Sequence, residues 1–306
     1  MTVFNRRVVR RHRTRAAAGL AGHDFLFREA AERLADRLAD VTRAFPLALD
    51  LGCHTGQLSR ALQGRGGIGT LVQGDLSPAM ARAAAAGDGP AGLARLTLAC
   101  DEESLPFKDG AFDLVLSSLS LHWVNDLPGA LIQIRRSLKK DGLFLANVLG
   151  GDTLKELRQA LAEAEIAEED GLSPRVSPMA DVRDLGGLLQ RAGFALPVVD
   201  ADTITVSYAD PMALMADLGG MGESNAVALR RRGFTRRATL AAAADRYRAL
   251  FGGADGRVNA TFQMVTLTGW APDPSQPKAL RPGSAAGRLA DALGTDEVSL
   301  GEKAKP

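Results

Sequence analysis

Leu47-Ala48-Leu49-Asp50-Leu51-Gly52-Cys53-His54-Thr55-Gly56 is the stretch on which the reading of this chain turns. Its opening is a short apolar run interrupted by Asp50 and closed by Gly52. That pattern suits a parallel strand buried on both faces that opens into a tight turn. Glycine has no side chain and tolerates unusual dihedrals, so a Gly-rich turn between a first strand and a first helix lets the backbone approach a ligand closely. A dinucleotide site would place Gly-x-Gly-x-x-Gly here beneath a pyrophosphate. This chain has Gly52 and Gly56 with an acid ahead of them. A carboxylate repels a pyrophosphate and suits a cofactor carrying an ammonium and a sulfonium.

Upstream, Phe25, Leu26, Ala30, Leu34, Leu38 and Val41 recur at helical spacing and stop before Pro46. Downstream, residues 58–62 resume helical spacing and 71–75 read as a second strand ending in Asp75. Ser77 then caps a helix over 79–86, with Pro78 in its first turn. Strands are expected at 93–99, 112–116 and 143–148, with a helix over 128–138 that stops at Gly142. Later come helices over 153–167 and 181–192, a strand over 203–207, a mostly helical stretch over 211–250 and a last strand over 262–270. The expected fold is α/β: a Rossmann-like, doubly wound, mainly parallel seven-stranded sheet with a helical lid insertion at about 211–250. Residues 1–23 form a basic N-terminal segment, 24–271 the main domain, and 272–306 a tail whose Pro, Gly, Ala and charge suggest weak order.

The 37 Lys and Arg are matched by 36 Asp and Glu, for a net charge of +1, which argues against a nucleic-acid-binding surface. The imbalance is local. Arg6, Arg7, Arg10, Arg11, Arg13 and Arg15 precede the first acid, Asp24. A transit peptide and a nucleic-acid arm are alternatives, but without an apolar face or cleavage-like stretch a solvated basic helix is favoured. Cys53 and Cys100 are too few and too far apart for a disulfide framework or a Cys-x-x-Cys metal site, and both are expected to be reduced. No apolar run is long enough to span a bilayer. The expectation is a cytoplasmic protein, or a mitochondrial matrix protein in a eukaryote.

Three acids fall at successive strand ends. Asp50 sits ahead of the Gly-rich turn, Asp75 is placed to accept both hydroxyls of a ribose, and Asp101, with Glu102 beside it, can take an adenine amine. Leu76 and Ser117 complete the candidate cofactor contacts with Gly52, His54 and Gly56. Ser118, His122 and Trp123 follow the fourth strand and are the candidates for chemistry at the carboxyl edge of the sheet, although Trp123 reads equally as a core anchor. His54 replaces a third glycine and reads as a turn-filling residue rather than a catalytic one. His122 and Asp126 stand four apart, but a second histidine is not evident, so no metal is expected.

These motifs carry a resemblance. Residues 47–56, Asp75, 101–107 and 112–123 resemble the successive motifs of S-adenosylmethionine-dependent methyltransferases. Gly150-Gly151-Asp152-Thr153-Leu154, Asp184-Leu185-Gly186, Arg191-Ala192-Gly193-Phe194, Met221-Gly222-Glu223-Ser224-Asn225 and Gly269-Trp270 extend the likeness. They resemble a narrower family, that of the mitochondrial complex I assembly factor of this fold and its bacterial relatives. The resemblance implies S-adenosyl-L-methionine as cofactor. As protein substrate it implies an arginine of the iron-sulfur subunit beside the quinone site of NADH dehydrogenase, hydroxylated during assembly. Any membrane association would be peripheral, through that partner. A more distant likeness to malonyl-acyl-carrier-protein methyltransferases leaves a carboxyl O-methyltransferase as the alternative, and a non-catalytic assembly chaperone as a third reading. Arg230, Arg231, Arg232, Arg236 and Arg237 make the 211–250 insertion basic, suited to an acidic partner or to plain solvation.

Overall fold

The computed structural model describes residues 2–169, 171–277, 284 and 287–296. Its elements run α1 (Arg6–Ala16), α2 (Phe25–Ala39), β1 (Leu47–Leu51), α3 (Gln57–Leu62), β2 (Thr70–Asp75), α4 (Pro78–Ala86), β3 (Ala94–Ala99) and β4 (Phe112–Ser118). There follow α5 (Leu127–Ser137), β5 (Leu138–Leu149), α6 (Lys155–Glu169), α7 (Val182–Arg191), β6 (Ala195–Tyr208), α8 (Pro211–Met221), α9 (Arg237–Phe251), β7 (Val258–Trp270) and α10 (Leu289–Leu293). The sheet has seven strands in the order β3-β2-β1-β4-β5-β7-β6, parallel except that β7 runs antiparallel to both β5 and β6. The expected doubly wound, mainly parallel sheet is what forms.

The apolar run of β1 is central because both of its faces are covered, and Ala48, Leu49 and Leu51 are wholly buried. Edge strand β6 shows the opposite pattern, alternating between exposed and partly buried, and it begins well before the expected residue 203. The extension was hidden because Pro197 and the acids Asp200 and Asp202 break up its apolar pattern. In the fold those acids face α2, where Arg37 grips Asp200 at 2.6 Å and Arg33 approaches Asp202 at 3.4 Å. The cap expected for α4 is present: Ser77 Oγ accepts from Met80 N at 3.4 Å, with Pro78 in the first turn.

Between β6 and β7 the chain forms α8 and α9, joined by a non-helical stretch over 222–236. Asp210 caps α8 by accepting from the backbone of Met212 and Ala213. Met221 is buried, Met215 partly so, and Met212 is 47% exposed. The described part of the closing stretch holds α10; residues 278–283, 285–286 and 297–306 of the expected tail lie outside the described residues.

The N-terminal segment overturns one expectation. Its basic residues do form a helix, but not one solvated all round: Arg13 is fully buried and Arg6 partly so, while Arg7, Arg10, Arg11 and Arg15 are exposed. Phe4, Val8 and Val9 pack with Trp123 and Val227, Asn125 Oδ1 accepts from Val3 and Phe4 N at 2.8 and 2.7 Å, and Asn5 N donates to Ala226 O at 2.8 Å. These bonds lay α1 across the carboxyl ends of the central strands, where strand order reverses between β1 and β4.

Candidate functional site

Asp50 lies on β1 at that reversal, paired in register with Gln73 on β2 and Leu116 on β4. It has no solvent contact and neither of its oxygens has a hydrogen-bond partner. Burial pushes its carboxyl up to about 7, Gln73 pulls the other way without reaching hydrogen-bonding geometry, and Asp75 adds to the rise. An enclosed carboxylate with no partner is costly, so this position gains from any cation brought to it.

Asp75, at the end of β2, is equally buried but better held: Oδ1 accepts from Ser77 N at 2.7 Å and Oδ2 from His54 N at 3.1 Å. Burial pushes it up to about 6, against the pull of Arg13, whose Nη1 stands 3.6 Å away. Between these two acids the turn passes through Gly52 at φ +79°, where a Cβ would fall 2.1 Å from Ser120 Cβ and Oγ, so only glycine fits. Gly56 also takes a positive φ, at +87°.

His54 adopts φ 47° inside the same turn, a conformation a third glycine would take without strain. The fold recovers something for it. Its ring is buried against Phe27 with centroids 4.4 Å apart, and Nε2 donates to Ser118 O and Leu119 O at 3.1 and 3.2 Å. Burial first, then Arg13, lowers its pKa to about 4, so the ring is neutral and braces the turn against the exit of β4.

Beyond β3 the acids are saturated rather than bare. Glu102 has no solvent contact; it takes Arg13 Nη1 at 3.0 Å and Ser120 Oγ at 2.5 Å, and it pairs with Arg6. Burial opposes its ionisation, but Arg13 and Arg6 outweigh that and hold it at about 2. Asp101 accepts from Arg6 Nη2 at 2.6 Å and from Glu103 N at 3.0 Å. Arg13 also donates to Ser120 Oγ at 2.9 Å; burial opposes its charge, but Asp75 and Glu102 outweigh that and leave its pKa raised.

The remaining candidates divide. Ser117 is pinned, its Oγ donating to Leu51 O at 2.7 Å, whereas Ser118 Oγ is buried and without a partner. Leu76 is half-buried against the Phe4 and Trp123 cluster. Glu223 gathers His122 and Trp123: its Oε2 accepts from Trp123 Nε1 at 2.8 Å and meets His122 Nε2 at 3.1 Å. Trp123 is 1% exposed and set edge-on to Phe4, as the core-anchor reading expects, with its ring nitrogen engaged by Glu223.

Arg6, Arg13, Ser120 and Glu223 were not among the residues expected at the site. A signal existed for the arginines, since residues seven apart stand one above the other two turns along a helix. Ion pairs reaching 89 to 96 residues along the chain leave no local trace.

Carboxylates at the ends of β1 and β2, a glycine turn between them and a seven-stranded sheet with an antiparallel last strand define an enzyme of the S-adenosylmethionine-dependent methyltransferase fold. The profile of a methyltransferase domain matches residues 49–146. The chain is 45% identical to the mitochondrial arginine-hydroxylase NDUFAF5 of Danio rerio over 95% of its own length and 89% of that protein's. It is 39% identical to the malonyl-[acyl-carrier protein] O-methyltransferase of Laribacter hongkongensis, over 84% and 86% respectively. The YcgJ protein of Bacillus subtilis shares the fold at a TM-score of 0.54 and 16% identity, over 79% of this chain and 98% of that one. The chain belongs to the family of the NDUFAF5 arginine hydroxylases.

Proposed function

We propose that this protein binds S-adenosyl-L-methionine between Asp50 and Asp75 and modifies an arginine of the iron-sulfur subunit beside the quinone site of respiratory NADH dehydrogenase during assembly. The observation that carries the cofactor reading is Asp50, a buried carboxylate with both oxygens free at the strand-order reversal, which fits a cationic ligand. When bound, the cofactor supplies a sulfonium with an activated carbon. Asp50 would face its positive charge, Asp75 its ribose hydroxyls and Asp101 its adenine amine, with Gly52 allowing close approach. His54, held neutral, fixes the turn against Ser118 and Leu119. Because Asp75 and Glu102 are sealed beneath Arg13, admission of the cofactor requires α1 to shift. The arginine substrate and the assembly role follow the 45% identity to a named arginine hydroxylase.

Among the described residues no helix is long and apolar enough to cross a membrane. The proposed setting is the cytoplasm of a bacterium or the mitochondrial matrix. Titration calorimetry with S-adenosyl-L-methionine tests the pocket: native protein binds and a folded Asp75→Ala variant loses roughly tenfold or more in affinity. No binding by folded native protein would discard the cofactor reading and favour a chaperone. Co-expression with the iron-sulfur subunit, followed by intact-mass analysis, then separates added oxygen from an added methyl and from no change. The 39% identity to a malonyl-[acyl-carrier protein] O-methyltransferase supports the second reading, carboxyl methylation of a carrier-bound acid. It predicts that the purified protein transfers a methyl group from S-adenosyl-L-methionine to a malonyl-acyl carrier protein, and an unchanged intact mass of that carrier removes it.

A further inference from the structure

Glu223 also lines a cavity of about 170 Å³. Its walls are apolar where Leu157, Leu161, Val176, Met215 and Leu218 line it, and polar where Arg175, Ser177, Glu223, Ser224 and Asn225 do; Glu223 and Ser177 carry buried side-chain oxygens that no group among the described residues satisfies. Glu223 Oε1 is buried, with no partner, on a side chain only 6% exposed; Ser177 Oγ is buried and likewise has none. The carboxylate stays charged: burial opposes this, but the hydrogen bond and charge of His122, with Arg13, hold its pKa below the usual range. Ligand pockets for cofactor-sized molecules measure roughly 300–1,000 Å³. This one has room for a single long side chain.

The cavity adjoins a larger cleft of about 570 Å³, with Arg175 and Val176 in the walls of both. Leu172 and Leu229, 68% and 78% exposed, also line the cleft. Arg175 does not make the passage cationic, because Glu165 holds it at 2.7 Å and Glu169 stands 3.6 Å away. Arg158 keeps its charge, its guanidinium donating to backbone carbonyls, but it lines the wider cleft and not the narrow cavity. The free charge facing the narrow cavity is therefore the Glu223 carboxylate.

We infer that the narrow cavity is a guanidinium subsite, in which Glu223 Oε1 and Ser177 Oγ receive the head of a substrate arginine, Leu157, Leu161, Val176, Met215 and Leu218 wrap its methylene stem, and the wider cleft takes the flanking peptide. This inference rests on the arginine reading of the proposed function and deepens it. An arginine stem needs apolar walls and its planar head a carboxylate acceptor, both of which the cavity supplies. Through Oε2 the same carboxylate holds His122 and Trp123, and neighbouring Gly222 lies against the Arg13 backbone, so the subsite abuts the cofactor end of the sheet. A carrier-bound carboxyl group would meet repulsion here, which separates this subsite from the methyl-ester reading.

The test is calorimetry on the full chain with a short acetylated Gly/Ala peptide bearing one central arginine, and with its citrulline counterpart, which keeps the shape but not the charge. Native protein is expected to prefer the arginine peptide by roughly tenfold or more. E223Q levels the two peptides, and M215W, which fills the cavity, removes binding of both. Equal binding of the two peptides by native protein, or a preference that survives E223Q, overturns the inference. Should E223Q fail to fold by circular dichroism, M215W decides, and undiminished arginine binding by it overturns the inference. A native protein that prefers arginine but never modifies it breaks the proposed function and leaves the subsite standing. Modification by E223Q at native KM does the reverse.

Discussion

The β1 end and the β3 exit each enclose a carboxylate completely, yet Asp50 is pushed up to about 7 while Glu102 is held at about 2. The two differ in the supply of cations. Helix α1 brings Arg6 and Arg13 to Glu102, and among the described residues none brings a cation into bonding distance of Asp50. One end is complete within the protein, and the other is the one the proposed function assigns to the cofactor. Burial alone therefore does not mark a functional acid; burial without a partner does.

The strongest way to break this comparison is to remove the anion from the complete end. Glu102→Gln leaves Arg13 buried with only Asp75, at 3.6 Å, as its nearby acid. The expected loss is about 3–5 kcal/mol of folding stability, read from denaturant unfolding. A midpoint unchanged from native would show that the Arg6, Arg13 and Glu102 network adds nothing net.

The same operation at the open end should act in the opposite sense. Asp50→Asn removes a carboxyl that the fold disfavours when ionised, so the ligand-free variant should melt higher than native at pH 8. Its affinity for S-adenosyl-L-methionine should fall roughly 10- to 100-fold. A variant that melts lower and still binds would place the cofactor cation elsewhere.

pH sharpens the contrast. Asp50 is raised from 3.8 to about 7, so its stabilising neutral form is fully present below 3.8 and lost as pH rises through about 7. Glu102 is lowered from 4.5 to about 2, so its contribution is present above 4.5 and lost as pH falls through about 2. A cation at Asp50 needs the ionised form, so cofactor affinity should drop about tenfold from pH 8 to pH 6. Binding at pH 6 should also release a proton, visible as a buffer-dependent heat in calorimetry. A flat affinity profile would remove Asp50 from cation binding.

The open end was legible in the sequence because its determinants are local: a short apolar run, an acid, a glycine turn, and then a second strand ending in Asp75. The complete end was only half legible. Asp101 and Glu102 announced themselves at a strand end, but their partners sit in an arginine-rich helix whose composition reads as solvated, and Val8 and Val9 are too few to mark a buried face. Glu223 was hidden for the same reason, lying in a non-helical stretch a hundred residues from Trp123. Periodicity reports which face of an element is apolar. It says nothing about which charge meets which across the sheet.

The smallest effect is expected from the arginines that α1 does not bury. Arg7, Arg10 and Arg11 are exposed and sit on the same helix as Arg6 and Arg13. If composition rather than contact stabilised this segment, replacing any of these arginines would weaken it alike. If contact decides, Arg7→Ala, Arg10→Ala and Arg11→Ala each change folding stability by about 0.5 kcal/mol or less, since an exposed charge gains little from distant acids in water. Arg13→Ala should stand apart by several-fold, because it strips Glu102 of one of its two cations and Ser120 of a donor. Equal losses across the four variants, measured by denaturant melts at one ionic strength, would dissolve the distinction between the complete end and the open one.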